Sequence, residues 1–84
     1  MEISPAPHLR RVVARRLARL RRLRHLSQQE VGAALGVDRG TVSRWERGEI
    51  AVSLERLAQL SIVYDVPLAS LLEPRPKTLA AGGR

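Results

Sequence analysis

Apolar side chains recur along this chain at helical intervals in five blocks, and no segment alternates apolar and polar residues at the period of a strand. In HLRRVVARRLARLRRLRHL, a helical projection places Leu9, Val12, Val13, Leu17, Leu20 and Leu23 on one arc and Arg11, Arg15, Arg19 and Arg22 opposite. Pro5 and Pro7 break any earlier helix, so the first element is expected over residues 8–25. Arg21 and Arg24 fall beside or within the apolar arc, and Arg21 needs a partner if it is buried.

The next stretch, SQQEVGAALGVDRGTVSRWERG, reads as two short helices joined at a glycine. Ser27 and Glu30 form a capping box, Val31, Ala34 and Leu35 supply the inward face, and Gly36 stops the helix. Val37 packs in the turn, Asp38 caps a third helix with Val42 and Trp45 inward, and Gly48 ends it. A connection this short forces a steep crossing, the geometry of a helix-turn-helix. Ser53 caps a fourth helix, LERLAQLSIVY, expected to bury Leu54, Leu57, Leu60 or Ser61, and Tyr64; VPLASLL then forms a short fifth helix entered at Pro67. The predicted fold is all-α: one compact five-helix domain over residues 8–73, with a flexible N-terminus (1–7) and a flexible tail (74–84).

Length and charge sharpen this picture. A chain of 84 residues hides only about 60% of its unfolded surface, so a partner subunit would help, and a homodimer is expected. The net charge is +7, and 14 of the 15 basic residues are arginine. Residues 8–25 hold eight arginines and no acid, leaving −1 for the rest. That imbalance points to an anionic partner. Cysteine is absent, which excludes disulfides and thiolate metal sites, and His8 and His25 are too few for a metal centre. No nucleophile, base and acid set and no phosphate-cradling glycine loop is visible, so neither enzyme activity nor a cofactor is expected. With no membrane-spanning run and no apolar signal core, the expected location is the cytoplasm, in association with the nucleoid.

The ordered pair LRRLRHLSQQEVGAALGVDRGTVSRWERG and SLERLAQLSIVYDVPLASLL resembles the lambda-repressor and Cro type of helix-turn-helix domain, the xenobiotic-response-element family, over about residues 9–73. The second half is also similar to the DNA-binding domain of actinobacterial developmental repressors. The resemblance implies a lambda-repressor-like fold and a sequence-specific transcriptional regulator of double-stranded DNA, a repressor by expectation, with helix 3 (about 38–47) in the major groove. It implies base contacts from Arg39, Gly40, Ser43 and Arg44 and phosphate contacts from Gln28, Thr41 and Arg47. It also implies a structural ion pair between Arg21 and Glu46, the partner that Arg21 requires.

Several positions depart from the family pattern. His25 and Asp65 stand where glycines usually end helices, Gly40 removes a side chain from a base-reading position, and Glu49, Ile50 and Ala51 replace phosphate-binding cations. Leu68, Leu71 and Leu72, or the tail, are the expected dimer surface. The rival function is an antitoxin or adaptor whose helix-turn-helix mainly docks a protein such as a toxin.

Overall fold

A computed structural model describes residues 6–72. Both the tail over 74–84 and nearly all of the N-terminal segment over 1–7 lie outside them. The described chain forms five helices: α1 (Ala6–Leu23), α2 (Gln28–Leu35), α3 (Arg39–Glu46), α4 (Leu54–Val63) and α5 (Leu68–Leu72). No strand occurs among the described residues.

Each of the three central helices starts on a side-chain cap. Ser27 accepts from the Glu30 amide while the Glu30 carboxylate accepts from the Ser27 amide, and Asp38 and Ser53 accept from Thr41 and Arg56. The first four helices end on one device. His25, Gly36, Gly48 and Asp65 adopt positive φ of 58°, 74°, 71° and 55°. The following amides of Leu26, Val37, Glu49 and Val66 then donate to the carbonyls of Arg21, Gly32, Arg44 and Ser61. Those bonds satisfy carbonyls that the helix ends would otherwise orphan. His25 and Asp65 thus hold the left-handed conformation that glycine accepts more readily.

Two arginines add a second kind of helix end. Arg24 Nε donates to the Tyr64 carbonyl at 2.9 Å, tying the end of α1 to the end of α4. Arg56 Nη1 donates to the Leu35 carbonyl at 2.9 Å, tying α4 to the end of α2. A cation at a helix C-terminus also complements the helix dipole.

The core gathers Val13, Leu17 and Leu20 of α1, Val31 and Leu35 of α2, and Val42 and Trp45 of α3, with Leu57, Leu60, Tyr64 and Leu71 closing it. Burial pushes the Tyr64 phenol above its ordinary pKa. Gly32 lies against the α2–α3 turn: a Cβ there would stand 2.7 Å from the Val37 carbonyl oxygen. Glycine at this position lets the turn fold back onto α2.

The structure corrects some expectations. α1 begins at Ala6 and includes Pro7, because a proline in the first turn lacks only an amide that has no intrahelical acceptor. Ala34 faces solvent, and Gly32 is buried instead. Leu9, Leu23 and Leu54 are exposed, while Ala14 and Ala18 are buried, and the covered positions of α1 lie mainly where α3 and α5 pack against it. Leu71 is wholly buried, so it cannot face a second copy.

Candidate nucleic-acid interface

The axis of α3 is fixed from below by Val42 and Trp45, which are buried, and from its N-terminus by the Asp38 cap. Hydrogen bonding from Thr41 holds the Asp38 carboxyl below the usual carboxylate range. With one side anchored, Arg39, Gly40 and Arg44 are exposed and Thr41 and Ser43 half-buried. The Arg39 side chain makes no hydrogen bond among the described residues. Arg44 folds back along the helix, with Nη2 donating to Thr41 Oγ1 at 3.4 Å. Its Nη1 lies 3.4 Å from the place a Cβ of Gly40 would occupy, so the missing side chain opens a lane for this arginine.

At the first residue of α2, Gln28 is half-buried, and its Nε2 donates to Glu46 Oε1 at 3.1 Å. The same carboxylate takes two bonds from Arg21: Nε to Oε2 at 2.7 Å and Nη2 to Oε1 at 3.0 Å. Arg21 Nη1 donates further to the Leu26 carbonyl at 2.9 Å. The side chains of Arg21 and Glu46 are only 12% and 6% exposed, and the Glu46 hydrogen bond raises the Arg21 pKa still further. Three helices therefore meet at one carboxylate: α1 through Arg21, α2 through Gln28, and α3 through Glu46 itself.

Arg47 caps the end of α3 and lies on the surface. Its Nε meets Glu49 Oε2 at 3.1 Å and its Nη2 meets Oε1 at 3.3 Å, so the loop after α3 pairs its own cation. An exposed pair of this kind contributes about 0–1 kcal/mol and yields readily to a stronger anion.

Arg39, Gly40, Ser43 and Arg44 thus share α3, with Thr41 beside them, while Gln28 is joined to the Arg21–Glu46 pair and Arg47 stands apart with Glu49. Residue-by-residue reading of the sequence missed the bond between Gln28 and Glu46, because eighteen positions separate the two and neither has a short-range signal pointing to the other. The lane over Gly40 had a signal in the glycine itself, set in an exposed helix where alanine is favoured. Among the described residues no cluster of metal-ligating side chains occurs, and no helix is long and apolar enough to cross a membrane.

Comparison with known proteins agrees with this architecture. A helix-turn-helix family model matches residues 17–71, from the middle of α1 into α5. A curated relative from Pyrococcus horikoshii, which carries the provisional name HTH-type transcriptional regulatory protein, is 35% identical over 63 residues. The match covers 75% of this chain and 20% of the relative, so the chain spans about one fifth of that protein's length. The family-model match spans more than half of the chain, and the chain belongs to the helix-turn-helix family of the lambda-repressor and Cro type.

Proposed function

We propose that the protein is a sequence-specific DNA-binding transcriptional regulator that acts as a repressor by occupying its operator, with α3 read into the major groove. The observation that carries this reading is the two-sided character of α3: Val42 and Trp45 are buried, while Arg39 and Arg44 are exposed and make no ion pair with a carboxylate among the described residues. A guanidinium meets the O6 and N7 edge of guanine with two hydrogen bonds, which discriminates by about 1–3 kcal/mol per base pair. Ser43 and the backbone at Gly40 complete the base-facing set. Phosphates are held by Gln28 and Thr41 near the N-termini of α2 and α3, where free amides and the helix dipole favour anions, and by Arg47.

The reading includes a C2 homodimer, which would place two copies of α3 about 34 Å apart on a near-palindromic site. With Leu71 in the core, the α5 surface is reduced to the half-buried Leu68 and Leu72, and Leu54 and Ile62 of α4, 66% and 78% exposed, offer further apolar surface to a second copy.

Selection of bound fragments from random duplexes tests the proposal. The expected result is a guanine-containing half-site repeated at one helical turn, with Arg44→Ala relaxing preference at one base pair. Absence of any preferred duplex at low salt would refute DNA reading, and sedimentation of the complex as a monomer on DNA would refute the dimer.

A further inference from the structure

The arginine stripe of α1 borders a groove. Arg15, Arg19 and Arg22 line an open depression of about 780 Å³ together with Ala18, Leu23 and His25. None of the three arginine side chains makes a hydrogen bond or ion pair among the described residues. Among the described residues Glu46 is the one carboxylate that lines the groove, and both of its oxygens are already engaged, by Arg21 and Gln28. Arg15, Arg19 and Arg22 recur at one helical face over about 10.5 Å, so they repel one another along the helix and have no paired counter-charge among the described residues. In the same depression Leu23 is 55% exposed.

We infer that this groove docks an acidic amphipathic helix of another protein, independently of whether α3 reads DNA. Carboxylates on the partner at i, i+4 and i+7 match the arginine spacing, and an aliphatic side chain between them covers Leu23. The charge pattern alone suits any polyanion. The exposed apolar surface of Leu23 decides the class, because a phosphodiester backbone offers nothing to bury against it, whereas a helix does.

The test is a titration of the full isotope-labelled chain with a short synthetic helix bearing glutamates at i, i+4 and i+7 and leucines between them, followed by backbone NMR. Saturable binding with shifts centred on Ala18, Arg19 and Leu23 is expected. Leu23→Ser, and separately Arg15→Gln with Arg19→Gln and Arg22→Gln, should each weaken it by about tenfold or more, a loss that corresponds to 1.4 kcal/mol. All of these residues are exposed, so the melting temperature of each variant should stay near that of the parent. Poly-L-glutamate of equal charge binding as tightly as the helix would overturn the inference, as would the absence of saturable binding. A random duplex that shifts the same α1 amides in the Arg39→Ala/Arg44→Ala chain and displaces the helix would assign the face to phosphate and overturn it too.

Discussion

Gln28 and Glu46 are hydrogen-bonded across the helix-turn-helix, Nε2 to Oε1 at 3.1 Å. One N–H of the Gln28 amide is thereby held by a carboxylate that Arg21 itself fixes, which leaves the other N–H of the same nitrogen to an outside acceptor. The side chain proposed to grip phosphate is thus oriented by the same pair that locks α1 to α3.

Removal of one member of that pair strands the other in a largely buried place. Arg21→Ala should destabilise the fold by about 3 kcal/mol, and Arg21→Ala combined with Glu46→Ala by less than the sum of the single changes. Urea melts of the four proteins in a double-mutant cycle measure this. Additive losses would show that the two residues stabilise the fold separately.

The two helical glycines on either side of the turn should respond oppositely to alanine. At Gly32 the added Cβ meets the Val37 carbonyl oxygen at 2.7 Å, a backbone atom that moves only with the turn, so Gly32→Ala should lower stability by about 1–3 kcal/mol. At Gly40 the nearest atom is the tip of Arg44 at 3.4 Å, which can move aside. Gly40→Ala should therefore raise stability by about 0.5–1 kcal/mol while pushing Arg44 from its lane and altering its base preference. Thermal melts and a binding selection read both outcomes.

Glu49 is paired with Arg47, the cation proposed to hold a phosphate. Glu49→Gln should tighten DNA binding and steepen the slope of log affinity against log salt by about one, since one more cation is released to the backbone. An unchanged slope would remove Arg47 from the phosphate contacts.

The Asp38 cap carries a pH dependence. Because Thr41 holds this carboxyl below its ordinary value of 3.8, the folded chain keeps the charge to lower pH than the unfolded chain does. The stability so gained is fully present above that value and is lost as pH falls through the lower folded one. Asp38→Asn keeps a capping oxygen and removes the titration, so it should stay close to the parent near neutrality and show a shallower acid loss. Urea midpoints measured across pH 2–5 for both proteins check the sign.

Local chemistry in the sequence was enough to determine five helices, the caps at Ser27, Asp38 and Ser53, the stop at Gly36, and the inward positions Val31, Leu35, Val42, Trp45, Leu57, Leu60 and Tyr64, because each signal lies within a turn or two of the element that it sets. Which apolar positions of α1 and α4 are covered was not legible there. Periodicity gives a helix its face but not the extent of the neighbours that meet it, so Leu9, Leu23 and Leu54 remain outside while Ala14 and Ala18 go in. Tertiary structure alone decided the close approach at Gly32, the arginine bonds from α1 and α4 to distant helix ends, and the bond that joins Gln28 to the Arg21–Glu46 pair. Those arise only when segments far apart in the chain are brought within hydrogen-bonding distance.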